Sequence, residues 1–213
     1  MNKPINKKST KTEPPKKVRI IGGLWRSRLL SVIDLPGLRP STDRIRETLF
    51  NWLGQDLSGL RCLDLFAGTG ALGFEAASRN AEVVVLLEKD KKAHANLQAN
   101  LKLLLSTPVS GAVEIFHKDS LEFLKQQADR SCNLIFIDPP FQDVALFDRS
   151  LIEAARVCDD SAGGGIYVEF SASRMREEVE ALIPEWHCGK YLEAGVVKAC
   201  LFQGRRGLTL ACS

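Results

Sequence analysis

From Arg61 onward, short apolar runs alternate with amphipathic stretches of helical period, and this restricts the chain to few architectures. Runs at Cys62–Phe66, Val83–Leu87, Val113–Phe116, Cys132–Ile137 and Ile166–Phe170 read as strands. Helical patterns fall near Ala71–Arg79, Lys91–Leu104, Ser120–Gln127, Val144–Cys158 and Arg174–Leu182. Strands separated by helices pair in parallel, and the helices must cover both faces of the sheet. The rhythm then changes. Trp186–Leu192 and Val196–Gln203 read as two strands joined through Glu193–Gly195 with no helix between them. The expected class is α/β: a mostly parallel sheet closed by an antiparallel C-terminal strand pair.

The residues before this alternation divide differently. Met1–Lys17 is rich in Lys, Thr, Pro and Asn and reads as a disordered basic tail. Val18–Ile21 and Arg28–Ile33 read as an N-terminal β-hairpin, followed by a Pro/Gly loop at Leu35–Thr42. Ser41, Thr42 or Asp43 can cap a helix to about Leu53, with Ile45, Leu49, Trp52 and Leu53 on one face. The expected units are a tail at 1–17, hairpin and loop at 18–40, a catalytic-type domain at 41–204 and a C-terminal tail at 205–213. A chain of 213 residues suits one domain with such appendages.

Charge is unevenly placed. Residues 1–46 hold 12 Lys and Arg against 3 Asp and Glu, whereas the remainder holds 17 against 23. Positive charge at one end suits a polyanion such as nucleic acid, although a solvated tail has the same composition. No apolar run is long enough for a membrane span, and the lysine-rich start lacks the apolar core of a signal peptide. The six cysteines form no C-x-x-C pair and have no histidine at zinc-finger spacing. They predict a reducing cytoplasm and neither a disulfide framework nor a metal site; separately, the chain is expected to be a monomer.

Two loops carry chemistry. Gly68-Thr-Gly70-Ala-Leu-Gly73 follows the first strand of the alternation and fits G-x-G-x-x-G, with Glu88 closing the next strand. Asp64 stands four residues before Gly68, where a pyrophosphate would be repelled and a cationic amino group or a water accepted. Phe66 and Ala67 lengthen the turn enough for an amino-acid tail. Glu88 suits both hydroxyls of a ribose. These features favour S-adenosylmethionine over a nicotinamide cofactor. Asp119-Ser120 follows the third strand, where Asp119 can accept from an adenine amino group or simply cap the next helix.

The second loop is Asp138-Pro139-Pro140-Phe141. The prolines stiffen it and leave its carbonyls free to accept. The Asp138 carboxylate and the Pro139 carbonyl can grip both hydrogens of a planar amino group, and Phe141 offers a ring for a base to stack on. Such a loop suits methyl transfer to an exocyclic base nitrogen.

The segments VRIIGGLWRSRLL, GLRPSTDRIRETLFNWL, LDLFAGTGALGFEA and IDPPF, spread over about residues 18–203, resemble the bacterial 16S rRNA guanine-N2 methyltransferases of the RsmD type. The resemblance implies a Rossmann-like class I methyltransferase sheet with an N-terminal hairpin and S-adenosyl-L-methionine as donor. It also implies a guanine of the small ribosomal subunit as acceptor, in assembled or assembling particles. It assigns the base to Asp138–Phe141 and the cofactor to Asp64–Gly70 with Glu88. Arg39–Arg46 would border both, with Thr42, Arg44 and Arg46 against the cofactor's methionine end or rRNA phosphates. Arg26, Arg28 and Arg39 are the other candidate RNA contacts. An N6-adenine methyltransferase of DNA or RNA, or a non-catalytic rRNA-binding assembly factor, would share many of these features.

Overall fold

The computed structural model describes residues 17–33 and 43–204. Most of the basic tail, the Pro/Gly loop with Arg39 and Thr42, and the C-terminal tail lie outside them. The hairpin consists of β1 (Lys17–Arg19) and β2 (Leu29–Ser31). The helix α1 (Asp43–Leu53) follows, then β3 (Arg61–Asp64), α2 (Ala71–Ser78), β4 (Val83–Glu88), α3 (Lys91–Leu104) and β5 (Ala112–His117). The second half comprises α4 (Ser120–Leu124), β6 (Leu134–Ile137), α5 (Val144–Val157), a 3-10 turn at Asp160–Ala162 and β7 (Gly165–Ser171). The chain ends in α6 (Arg176–Glu180), β8 (Trp186–Ala194) and β9 (Val197–Gly204).

The sheet order is β5-β4-β3-β6-β7-β9-β8, parallel from β5 to β7 and antiparallel across β7, β9 and β8. This is the expected doubly covered sheet, with the strand order reversing between β3 and β6. That reversal opens a crevice at the carboxyl ends of the two strands. No helix among the described residues is long and apolar enough to cross a membrane.

Two apolar cores cover the sheet. On one face, Ile45, Leu49 and Phe50 of α1 pack with Phe74 of α2, Leu97 of α3 and Phe136 of β6. On the other, Leu124 of α4, Phe147, Leu151 and Ala154 of α5 and Val179 of α6 pack on Leu63, Ile135, Ile137 and Val168. The hairpin is no appendage, because Val18, Ile20, Trp25 and Leu30 belong to the first core.

A buried acid fixes the hairpin. Glu75 of α2 accepts from the backbone N–H of Ile21 and Gly22 at 2.7 Å each and pairs with Arg79 at 2.8 Å. Gly23 has φ +70, and a Cβ there would stand 1.8 Å from the Ser78 carbonyl oxygen. The hairpin turn can approach α2 this closely only as glycine.

Some boundaries move. β6 begins at Leu134 because Cys132 makes only an isolated bridge to Cys158. The cysteine reading needs one correction: Cys188 and Cys200 are disulfide-bonded, with Cα atoms 5.9 Å apart. They are diagonal neighbours on the antiparallel β8–β9 pair, beside a bulge between Cys188 and Lys190. Strand register makes this pairing, and no local Cys spacing reveals it.

Candidate active site

The first chemical loop joins β3 to α2. Its turn closes through the Gly70 N–H to the Ala67 carbonyl at 2.7 Å, and Gly70 caps α2 with φ +85. A Cβ at Gly70 would meet the Phe74 ring at 2.3 Å and Leu97 at 2.7 Å. The loop is therefore pressed against its own helices, with the backbone of Phe66–Gly70 at the carboxyl end of β3.

Two carboxylates hold it. Asp64 is buried, and its Oδ2 accepts from the Gly73 N–H at 3.0 Å. The Phe66 N–H also donates to it. Burial dominates these bonds and pushes the carboxyl up to about 7, with Glu88 nearby adding to the rise. Glu88, at the end of β4, accepts from the Gly68 N–H at 3.0 Å through Oε2 and the Asp90 N–H at 2.7 Å through Oε1. A carboxylate has about four lone-pair sites, so these two bonds orient Glu88 and leave it able to accept from a diol.

Asp119 caps α4, accepting from the Leu121 N–H at 3.0 Å and the Glu122 N–H at 3.3 Å. Lys89 binds its other oxygen at 2.9 Å, and this bond holds the Asp119 carboxyl below the ordinary range. Ser120 turns inward and donates its hydroxyl to the Leu65 carbonyl.

Asn100 was not singled out by the sequence pattern. Buried on α3, it donates to the Thr69 carbonyl at 3.2 Å and the Ser31 carbonyl at 3.1 Å, and accepts from the Ser31 N–H at 3.0 Å. It ties the hairpin to the glycine loop.

The second loop leaves β6 at Ile137. Pro139 is buried, Asp138 and Phe141 are half-buried and Pro140 is exposed. The Pro140 carbonyl accepts from the Asp143 N–H at 3.0 Å, and Asp143 caps α5 through the Leu146 N–H at 3.0 Å. Beside this loop lies a cleft of about 390 Å³ lined by Pro139, Pro140, Phe141, Phe147, Glu169 and Arg174, among others. Its volume suits a small ligand or a single base. Arg174 closes one wall, paired with Asp148 at 2.6 Å and set over the Phe147 ring at 5.1 Å.

The two loops are neighbours because β3 and β6 pair in parallel, with Asp64 opposite Phe136. Asp138 thus lies two positions beyond Asp64 in register. The candidate arginines separate. Arg26, Arg28 and Arg44 are exposed, and Arg28 also donates from Nη2 to the Thr107 hydroxyl at 2.9 Å. Arg46 corrects the expectation of an RNA contact: it is fully buried, and its Nη2 donates to the Arg19 carbonyl at 2.8 Å and pairs with Asp43 at 2.7 Å. The helical period places it one turn before Phe50, on the inner face of α1, where it clamps the hairpin.

The family model described as Conserved hypothetical protein 95 matches residues 18–203. The chain is 40% identical over 191 residues to Ribosomal RNA small subunit methyltransferase D of Haemophilus influenzae, covering 87% of this chain and 93% of that protein. It is 40% identical over 187 residues to the protein of the same name from Escherichia coli K12, covering 87% and 89%. The solved structure of yhhF from Escherichia coli superposes with a TM-score of 0.72 at 36% identity, covering 89% of this chain and 98% of that one.

Proposed function

The chain belongs to the family of the small-subunit ribosomal RNA methyltransferases D, and from that premise we propose that it methylates the exocyclic N2 of one guanine in 16S rRNA. The acceptor is the small ribosomal subunit, assembled or assembling, and the donor is S-adenosyl-L-methionine. One observation carries the reading: β3 and β6 are adjacent and parallel, so a glycine loop braced by two carboxylates stands beside Asp138–Phe141.

The residues fit this cofactor. Glu88 is oriented to accept from the ribose hydroxyls, and Asp119, fixed by its cap and by Lys89, to accept from the adenine amino group. Phe66 and Ala67 supply apolar contact, and Gly68 and Gly70 keep the backbone close. Asp64, buried at the base of the loop, faces the amino-acid end. Thr42 and Arg44 are further candidates at that end. When bound, the cofactor supplies an electrophilic methyl group on a sulfonium.

The protein's part in the chemistry is orientation. An exocyclic base nitrogen is a poor nucleophile because its lone pair is delocalised into the ring. The Asp138 carboxylate and the Pro139 carbonyl accept the two amino hydrogens and turn the lone pair out of the base plane. Phe141 stacks on the base, and Pro139-Pro140 hold the loop stiff. Alignment of this kind replaces a strong base. Once methylated, the nitrogen is acidic, and a carboxylate oxygen of Asp138 receives the released proton. A base in folded rRNA must leave its stack to reach the cleft. Arg26 and Arg28, exposed on the hairpin, and Arg44 and Arg39 then hold flanking phosphates.

The test is transfer of labelled methyl to small subunits from a strain lacking the gene, followed by digestion to nucleosides. N2-methylguanosine is the expected product. N6-methyladenosine, or cofactor binding without transfer, would refute the assignment.

A further inference from the structure

Arg174 has no place in the chemistry above, yet it stands at the wall of the cleft. It follows β7, in the turn that leads to α6. Its main chain is held on both sides. The Arg174 N–H donates to the Ser171 carbonyl at 3.0 Å, and the Arg174 carbonyl accepts from Lys198 Nζ at 3.0 Å. Its head group is held as well. Nη1 lies 2.6 Å from Asp148 Oδ1, and the guanidinium carbon sits 5.1 Å over the Phe147 ring. Phe147 itself lines the cleft, and so does Glu178, whose Oε2 is 4.0 Å from Nε. A guanidinium carries five N–H donors and no acceptor. Among the described residues, Asp148 and Glu178 are its ionic partners, and Glu178 stands beyond hydrogen-bond distance. Contacts so few cannot use all five donors, so a head group already fixed in place retains capacity for a ligand.

We propose that Arg174 determines specificity by donating to O6 and N7 of the target guanine while Asp138 and Pro139 hold its 2-amino group. The proposal rests on the guanine-N2 reading. The two acceptors lie on a different edge of the ring from the 2-amino group, and one cleft the size of a base is lined by Pro139 and Arg174 together. A planar guanidinium matches the O6/N7 pair with two parallel bonds. Adenine carries an amino group where guanine has O6, so it sets donor against donor. A backbone phosphate is the other common arginine ligand, but the lining favours the base. Asp143, Glu178 and Glu169, which is one register step beyond the Ile137–Val168 pair and so beside Asp138, line the same cleft. Carboxylates repel a phosphate and leave neutral ring acceptors unopposed. The amino-group grip alone does not distinguish the two purines, and a donor on the far edge does.

The test uses the full-length enzyme and small subunits reconstituted with 16S rRNA carrying either guanine or 7-deazaguanine at the methylated position. 7-Deazaguanine keeps the 2-amino group, N1–H and O6 and lacks only the N7 acceptor. The wild-type enzyme should turn over the 7-deazaguanine subunit with kcat/KM lower by about 10- to 100-fold. Arg174→Ala should be slow on guanine and show a ratio between the two substrates near one, with cofactor affinity unchanged by calorimetry. Arg174→Lys decides the matter if the alanine variant does not fold: it keeps the charge beside Asp148 but not the planar fork, and its ratio should also fall. A merely structural role, or a grip on a phosphate, would slow both substrates equally and leave the ratio at its wild-type value, which would overturn the proposal. So would a wild-type ratio near one. Failure of the wild type to form N2-methylguanosine on guanine subunits would instead remove the guanine reading, and the role of Arg174 with it.

Discussion

On the face covered by α4, α5 and α6, the central strands present Leu63, Ile135, Ile137, Val168 and Phe170. On the face under α1, α2 and α3, the same strands present Asp64, Phe136, Tyr167 and Glu169, with Asp138 following at the strand end. Alternation along a strand makes both faces from one sequence, and one residue of slip would exchange them. The apolar face supplies burial and, through Phe147 and Phe170, part of the wall of the cleft. The other is apolar at its amino ends and acidic at its carboxyl ends, so its chemistry is confined to one rim of one face. The acidic face is also the one that the hairpin overlies, and it is held by a buried ion pair rather than by packing alone.

The largest expected effect tests that buried pair. Glu75→Ala should cost about 3–5 kcal/mol in urea denaturation, because it strands the Arg79 guanidinium and two hairpin N–H groups. A loss below 1 kcal/mol would mean that packing alone seats the hairpin. On the opposite face, Leu151→Ala removes a fully buried side chain and should cost about 2–4 kcal/mol. Its kcat at a temperature where it remains folded should match the wild type. A selective fall in kcat would break the division between the faces.

Asp138→Ala should do the reverse. The loss of a charge-assisted acceptor removes about 1.5–3 kcal/mol of transition-state stabilisation or more. Single-turnover kinetics should show this, while calorimetry finds cofactor affinity nearly unchanged. Phe141→Leu should weaken the acceptor step by about 1–2 kcal/mol, within the range for base stacking, and Phe141→Tyr by less. Equal rates for all three would place the base away from the ring.

The smallest effect is one of slope. Asp64 is raised to about 7 by burial, so the folded protein binds its proton more tightly than the unfolded chain does. Stability from this group is full below the unfolded carboxyl value of about 4 and declines as pH rises through about 7. Asp64→Asn keeps an acceptor for the Gly73 N–H and removes the titration. Its denaturation midpoint should fall less steeply than that of wild type between those values.

The periodic elements were legible, and α3 has the expected bounds because Asp90 caps it, accepting from Lys92 and Ala93. The two chemical loops were legible because glycine and proline mark them locally. What sequence does not hold is register. Glu169 looks like an interruption in an apolar run until β6 and β7 are aligned, and the Cys188–Cys200 bond likewise needs β8 set against β9. Arg46 stands in a charged stretch near exposed Arg44 and Glu47, and the resemblance set it against the cofactor or rRNA phosphates. The helical period put it inside, and the backbone carbonyl that its Nη2 binds, that of Arg19, comes from a different element. Glu75 was absorbed into the helix pattern after the glycine loop. Its role depends on a hairpin 53 residues earlier.

That separation bears on how the chain is made. The Trp25 indole donates to the Thr107 carbonyl, 82 residues later, and its backbone N–H to the Ser78 hydroxyl. At translation rates of about 5–20 residues per second, the more distant of these partners, Thr107, is synthesised roughly 4–16 s after Trp25 itself. For that interval Ile20, Trp25 and Leu30 have no core to enter, and the strand pair must wait as an unsupported two-stranded element, marginal in water. The part of the molecule that emerges first is among the last to become secure, and a nascent chain stalled before α3 would display those apolar side chains to any chaperone at the ribosome exit.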